Sequence, residues 1–173
     1  MLSRLKRIFR HRWVDDAATQ HVIAPDLLER LQQRVAASEQ RHSGEVRIYI
    51  EAGLPLGHLW TDAPTQQIAR QRALDLFSQL RVWDTAANNG VLIYLLLAEH
   101  EIEIVADRGL NERVEPAFWP ALVTRMSGAF KQAQFEVGLT NALAEVSALL
   151  VQHFPLVANK ANPNELPDAP ILN

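Results

Sequence analysis

The amino-acid sequence predicts a layered α/β domain built around a small mixed sheet. Its 173 residues amount to about one domain at ~150 residues per domain. A hydrophobic fraction of 48% with 21% charged residues is typical of a globular protein. The hydrophobic periodicity changes in the order helix, strand, helix, strand, strand, helix, helix. A strand–helix–strand crossover makes the first two strands parallel, and a hairpin makes the third strand antiparallel to the second.

The first half of the domain is predicted from two helices and the strand between them. The first helix begins at Pro25 and ends before Ser43. Its apolar face carries Leu28, Leu31 and Val35. Residues 45–51 then alternate strictly between apolar and polar side chains, which predicts a strand with one buried face. Thr61 or Asp62 can cap the second helix.

The second half begins with a strand that is apolar at every position. Residues 91–97 have this pattern, which indicates burial on both faces of the sheet. Glu99 and His100 make a tight reversal into a third strand over residues 101–106. Two helices follow, with apolar positions at Trp119, Leu122, Val123, Met126 and Phe130, and at Leu139, Leu143, Val146 and Leu150.

The chain divides by composition into a basic arm (residues 1–24), a domain (25–154) and a proline-rich tail (155–173). Residues 1–14 hold five of the 17 basic residues and none of the 20 acidic ones, so they carry +5 and the rest of the chain −8. Because charges interrupt the arm, it does not read as a signal peptide. The longest apolar run is far shorter than the ~20 residues of a membrane span. The sequence therefore predicts a cytoplasmic protein.

The arm and the tail each suggest a surface role. On a helix, Leu2, Leu5, Phe9 and Trp13 share one side, a pattern that would suit a weak contact of residues 1–13 with an anionic membrane. Such a contact would place the protein peripherally at the inner face of the membrane. The favoured alternative is an arm that docks on its own domain or is loosely ordered, and the acidic body disfavours nucleic acid. The prolines of the tail predict an extended segment on the surface or on a partner.

Several classes of chemistry are excluded by what the sequence lacks. With no cysteine, disulfides, cysteine nucleophiles and cysteine-ligated metals are ruled out. The usual phosphate-loop, dinucleotide and hydrolase motifs are missing, and the six histidines lack metal-ligand spacing. Arg41 and His42 superficially match a histidine phosphatase motif, but they precede a strand instead of following one. We therefore expect His42 to be a cationic residue near a helix C-terminus.

The predicted topology brings the starts of the first two strands and the end of the third to one edge. The polar residues of this edge are Glu45, Asn88, Asn89, Asp107 and Arg108, with Asp84 in the loop before the second strand. Carboxylate and amide oxygens suit Ca²⁺ or Mg²⁺, and a guanidinium suits a phosphate. Turn chemistry is the alternative, because Asn88–Gly90 and Asp107–Gly109 are both good turn sequences.

Six segments of the chain carry a family resemblance. They are Ser43–Val46, Leu80–Asp84, Asn88–Tyr94, Ile104–Leu110, Phe130–Lys131 and Phe135–Leu139. Together they resemble the TPM domain family, which includes the thylakoid lumen acid phosphatase and the photosystem II repair protein. The resemblance covers roughly residues 29–154 and is strongest to a short bacterial branch. It implies a three-layer α/β/α sandwich and, for some members, a divalent-cation site and weak acid phosphatase activity.

Two functions follow as hypotheses. In the first, a weak metal-dependent acid phosphatase uses Asp107 and Arg108 on a phosphomonoester. The cation, Ca²⁺ or Mg²⁺, would be held by Glu45, Asp84, Asn88, Asn89 and Asp107. The family commonly has aspartate where this chain has Asn88, and an amide in place of a carboxylate weakens a cation site. We therefore favour the second hypothesis, a module that binds a divalent cation or a partner and is associated with a membrane protein system.

Overall fold

The computed structural model describes His11, residues 22–157 and residues 161–173. The elements in chain order are helix α1 (Pro25–Glu39), strand β1 (Val46–Glu51), helix α2 (Leu56–Leu59), helix α3 (Thr65–Gln79), strand β2 (Val91–Leu96), a 3₁₀ turn (Leu97–Glu99), strand β3 (Glu101–Ala106), helix α4 (Arg108–Asn111), helix α5 (Phe118–Lys131), helix α6 (Phe135–His153) and strand β4 (Ile171–Leu172). Residues 1–10 and 12–21 of the arm, and with them the predicted membrane contact, lie outside the described residues.

The strands form one mixed sheet in the order β3-β2-β1-β4. β1 and β2 are parallel with Val46 opposite Val91, and β2 and β3 are antiparallel with Val91 opposite Ala106. Both predicted pairings are confirmed. β4 adds a short parallel strand to β1, with Ile171 opposite Tyr49.

Helices cover both faces of this sheet. Side chains of α1, α5 and α6 pack with Ile48 and Ile93 on one face. Side chains of α3 pack with Leu92 and Tyr94 on the other. Alternate residues of each strand point to opposite faces, so both helix layers bury apolar surface against the same strands. The predicted three-layer α/β/α sandwich is confirmed.

The predicted half-exposed strand is wrong, because β1 is buried on both faces. Its alternating polar side chains meet partners in place of water. Arg72 donates to both oxygens of the buried Glu51 carboxylate, from Nη2 to Oε1 at 2.6 Å and from Nε to each oxygen at 3.1 Å. The Tyr94 hydroxyl donates to Glu51 Oε2 at 2.7 Å. A buried charge that is paired in this way avoids most of the cost of losing water.

Helix α3 begins later than predicted. Neither Thr61 nor Asp62 caps it, since Pro64 occupies the N-cap position and the helix starts at Thr65. Proline fits this helix start because it lacks an N–H that would otherwise need an acceptor. The short helix α2 lies between β1 and α3.

His42 is also different from the expectation. It is fully buried, and its Nδ1 donates to the Gly44 carbonyl at 3.0 Å while Nε2 lies 2.8 Å from the Ser38 hydroxyl. A carbonyl only accepts, so Nε2 accepts from Ser38. Burial lowers the pKa of His42 to about 4. The side chain is therefore a neutral tether between α1 and β1 and not a helix-terminal cation.

The C-terminal segment runs along the free side of β1. Asn173 N donates to the Ile50 carbonyl at 2.9 Å, and Ala52 N donates to the Asn173 carbonyl at 2.7 Å. Farther back, Arg47 Nη1 donates to the Ala169 carbonyl at 3.3 Å. This segment therefore satisfies backbone and side-chain groups that a bare edge strand would leave open.

Replacing Arg72 with methionine tests the buried ion pair. We expect Arg72→Met to lower the free energy of unfolding by about 3–5 kcal/mol, because it leaves the Glu51 carboxylate buried and unpaired. The control is Arg81→Met, which breaks the exposed pair with Asp84 and should cost about 1 kcal/mol or less. Urea titration followed by circular dichroism measures both. Equal losses would contradict the assigned role of Arg72.

Glu39 provides a pH test of the contact between α1 and the tail. Its Oε1 accepts from Val46 N at 2.9 Å, and the carboxylates of Glu45 and of Asp168 in the tail lie near it. Burial is the main cause that raises the pKa of Glu39 from 4.5 to about 8. The unfolded chain releases this proton at lower pH, so the stabilising contribution is complete below pH 4.5 and is lost as the pH rises through 8.

We expect Glu39→Gln to remove this pH dependence, because a glutamine is neutral at every pH and its amide oxygen can still accept from Val46 N. The measurement is the free energy of unfolding across this pH range. The advantage of the variant over the parent chain should grow with pH. Glu29→Gln, an exposed change on the same helix, is the control and should run parallel to the parent. A constant offset for Glu39→Gln would argue against a raised pKa of Glu39 in the folded chain.

Candidate functional site at the strand-end edge

Five of the six predicted polar residues lie where three strand ends adjoin. Val91 N donates to the Glu45 carbonyl at 2.8 Å, and Asp107 N donates to the Gly90 carbonyl at 2.9 Å. These ladder contacts align the starts of β1 and β2 with the end of β3. We call the group Glu45, Asn88, Asn89, Asp107 and Arg108 the strand-end edge.

Glu45 turns its carboxylate toward the tail. Glu165 N donates to Oε1 at 3.2 Å and Leu166 N donates to Oε2 at 3.1 Å. Burial raises the pKa of Glu45, while these two backbone donors act in the opposite direction. The Glu165 side chain makes a second contact with the domain, since its Oε2 accepts from Ala86 N at 2.8 Å. Both oxygens of Glu45 therefore hold the tail against the domain.

Asp84 lies apart from the other carboxylates of the edge. Its Oδ2 forms an ion pair at 2.6 Å with Arg81, and both side chains are about half exposed or more. Within residues 22–157 and 161–173, together with His11, no three histidine, aspartate or glutamate side chains come close enough to hold a metal ion. Glu45, Asp84 and Asp107 are thus not brought together as a set of three.

Asn88 and Arg108 bridge the two loops of the edge. Asn88 adopts a left-handed conformation with φ 51°, which asparagine tolerates better than most residues. Its Oδ1 accepts from Arg108 Nη2 at 2.8 Å on the exposed surface. Gly109 N donates to the Asn88 carbonyl at 2.9 Å, and a Cβ at Gly109 would lie 2.5 Å from that same oxygen. Glycine is required here by close approach of two backbones.

Asn89 and Asp107 each bury an acceptor oxygen. Asn89 Nδ2 donates to the Ser43 carbonyl at 3.0 Å, and its N–H donates to Thr85 Oγ1 at 3.1 Å. Asp107 caps helix α4, with Oδ1 accepting from Arg108 N at 2.7 Å. The other oxygens, Asn89 Oδ1 and Asp107 Oδ2, are buried and accept no hydrogen bond in the described structure. Buried acceptors of this kind call for a cation or an N–H donor.

Sequence reasoning did not identify two contributors to this edge. The tail residues Glu165 and Leu166 donate backbone hydrogen bonds to the Glu45 carboxylate. No sequence pattern indicates such a contact, because every residue except proline has a backbone N–H. The Thr85 hydroxyl accepts a hydrogen bond from the backbone N–H of Asn89. The sequence signal for this contact was a threonine four residues before an asparagine that precedes a strand.

No helix in the described part of the chain combines the length and apolar character that crossing a bilayer requires. This finding covers residues 22–157 and 161–173.

Comparisons with known proteins agree with the geometry. The family model described as TPM domain matches residues 14–149. The NMR structure of the BA42 protein from the psychrophilic bacterium Bizionia argentinensis is similar, with a TM-score of 0.70 and 25% identity over 86% of this chain and 93% of that one. The N-terminal domain of a P. gingivalis protein shares the fold, with a TM-score of 0.56 and 18% identity over 79% and 83%. No curated protein sequence matches significantly.

The family model spans most of the chain, and its match includes every residue of the strand-end edge. The two similar structures have the same fold over at least 79% of this chain. This chain therefore belongs to the TPM domain family.

Proposed function

We propose that this TPM domain is a binding module that holds a divalent cation at the strand-end edge through Asp107 and Asn89. The observation that supports the proposal is the pair of buried oxygens, Asp107 Oδ2 and Asn89 Oδ1, that lack donors. One carboxylate and one amide oxygen are ligand types that Ca²⁺ and Mg²⁺ accept, with water completing the shell. The charge of −8 on residues 15–173 favours cations near this surface.

The surrounding contacts support binding more than catalysis. Glu45 is engaged by the tail and Asp84 by Arg81, which leaves the proposed cation with few protein charges. A site with low ligand charge binds weakly and exchanges readily. The family resemblance further supports a place for this module beside a membrane-associated protein partner.

Weak acid phosphatase activity is the second candidate. The observation in its favour is Arg108, which has an exposed guanidinium and directly follows Asp107 in the sequence. Asp107 in turn has the carboxylate oxygen Oδ2 without a hydrogen-bond partner. A bound cation would supply charge neutralisation for a phosphate. Arg108 would hold a second phosphate oxygen after releasing Asn88.

Isothermal titration with Ca²⁺ and with Mg²⁺ tests cation binding. We expect Asp107→Asn to weaken binding by about 10-fold or more, because one ligand charge is lost. Asparagine is also a good N-cap, so helix α4 should be preserved. Asp84→Asn is the control and should bind within a factor of about two of the parent, since Asp84 lies outside the proposed ligands. Equal binding by Asp107→Asn and the parent would overturn the proposal.

Hydrolysis of p-nitrophenyl phosphate with Ca²⁺, Mg²⁺ or Mn²⁺ separates the two candidates. For a binding module we expect no turnover above the metal-only reaction. Metal-dependent turnover that disappears in Asp107→Ala would favour the phosphatase. Turnover that persists unchanged in Asp107→Ala would indicate a contaminating enzyme or another site.

A further inference from the structure

A cavity lies beside the outer strand of the sheet, between helices α3 and α5. Strand β3 is at the end of the order β3-β2-β1-β4, and within the described part of the chain no strand pairs with its other side. The cavity has a volume of about 560 Å³, which falls in the range of roughly 300–1,000 Å³ of small-molecule sites. Helix α3 contributes Arg70 to its wall and helix α5 contributes Trp119. The apolar part of the wall is formed mainly by Ile104, Pro116, Pro120 and Val123.

The register of the β2–β3 hairpin determines which backbone groups point toward this side. Asp107 N donates to the Gly90 carbonyl, and Ile104 lies opposite Ile93. Residues of an antiparallel strand alternate between groups that face the partner strand and groups that face away, so the N–H and C=O of Ile104 face away from β2. Arg70 Nη1 donates to the Ile104 carbonyl at 2.6 Å, as this direction requires. The Ile104 N–H therefore also points to the free side of β3.

Two outward carbonyls of β3 already accept hydrogen bonds from side chains. Arg70 donates to the carbonyl of Ile104, and Asn111 Nδ2 donates to that of Ala106 at 2.6 Å. A further strand would need these carbonyls as acceptors, so both side chains oppose strand addition at this edge. The backbone N–H of Ile104 is a donor that these contacts do not use. The edge thus favours a ligand that brings oxygen acceptors.

Trp119 and Arg70 add further donors to the cavity wall. The indole Nε1 of Trp119 is buried and has no hydrogen-bond partner among the described residues. A buried indole N–H normally donates to an acceptor. Arg70 contacts the protein through Nη1, whereas a guanidinium has five N–H groups. The N–H groups on Nε and Nη2 can therefore bind a carboxylate in the two-bond geometry that arginine favours.

Glu103 is the acidic residue of the wall. Its Oε2 lies 3.4 Å from Arg70 Nη1, which is longer than a strong charge-assisted hydrogen bond. Burial is the main cause that raises the pKa of Glu103. Its carboxylate therefore competes only weakly for the remaining donors of Arg70.

We propose that this cavity binds an aromatic carboxylate. The carboxylate accepts from Arg70 and from the N–H groups of Trp119 and Ile104, and the aromatic ring packs on the apolar wall. The Trp119 side chain is partly buried at the wall, and a small rotation of it brings the indole N–H to a ligand oxygen. The cavity shares no residue with the strand-end edge, so this site goes beyond the proposed cation binding and does not depend on it.

Isothermal titration of the full chain in EDTA with naphthoate, and with its neutral amide naphthamide, tests the proposal. We expect naphthoate to bind about 10-fold or more tightly than naphthamide, because only the carboxylate forms charge-assisted hydrogen bonds. Arg70→Gln should weaken naphthoate binding by about 10-fold or more for the same reason. The matched control is Arg34→Gln, since Arg34 and Arg70 side chains are both 44% exposed and each lies near one glutamate. This control should bind within a factor of about two of the parent.

Glu103→Gln gives a test with the opposite sign. Removing a negative charge beside the bound carboxylate should tighten naphthoate binding by about threefold or more. A residue with only a structural role would not produce a gain in affinity. Weaker binding by Glu103→Gln would contradict the proposed arrangement.

The indole N–H of Trp119 reports the contact directly. The chain has four tryptophans, and the indole signal that is missing from the nitrogen–proton NMR spectrum of Trp119→Phe belongs to Trp119. We expect this signal of the parent chain to move downfield with naphthoate, because the N–H gains an acceptor. Four results would overturn the proposal: no binding of naphthoate, equal binding of naphthoate and naphthamide, unchanged affinity in Arg70→Gln, or an unmoved Trp119 signal in the bound protein.

Discussion

The polar face of β1 is the constraint on which much of this structure depends. Alternate residues of a central strand point to one face, and here that face carries charge at Arg47 and Glu51. Because the strand is buried on both sides, each of these groups needs a partner from another element. Helix α3 supplies Arg72 to Glu51, and the tail supplies a carbonyl to Arg47. The same constraint therefore fixes the position of a helix and of the C-terminal segment.

The tail contact also determines which residues remain for chemistry at the strand-end edge. Glu45 precedes β1, and its two oxygens accept backbone N–H groups from the tail. A carboxylate used in this way is a structural anchor, since releasing it would leave backbone donors without acceptors. The unpartnered acceptors of the edge are on the neighbouring loops, at Asn89 and Asp107. The Glu45 oxygens thus stabilise the fold, while the proposed function uses the oxygens of Asn89 and Asp107 in the same polar cluster.

The sequence was sufficient for the elements whose signals are local. The apolar run of β2, the Glu99–His100 reversal and the two C-terminal helices depend on periodicity and turn chemistry within a few residues. The burial of β1 could not be read in this way, because an alternating pattern is the same whether its polar face meets water or a buried ion pair. The hydrogen bonds of Glu45 also could not be predicted from the sequence, since its partners are backbone N–H groups 120 residues or more away along the chain. At the edge, topology placed the residues correctly, while their individual bonds depended on side-chain geometry.

The length of β1 separates the strand-end edge from the contact that His11 makes with the domain. The six residues of β1 span about 20 Å at roughly 3.3 Å per residue. The strand-end edge lies at the beginning of this strand, and His11 contacts Gly53 and Leu54 just after its end. Because the two places lie that far apart and share no residue, a substitution at one should leave the other unchanged, and Asp107 can be probed without disturbing the His11 contact.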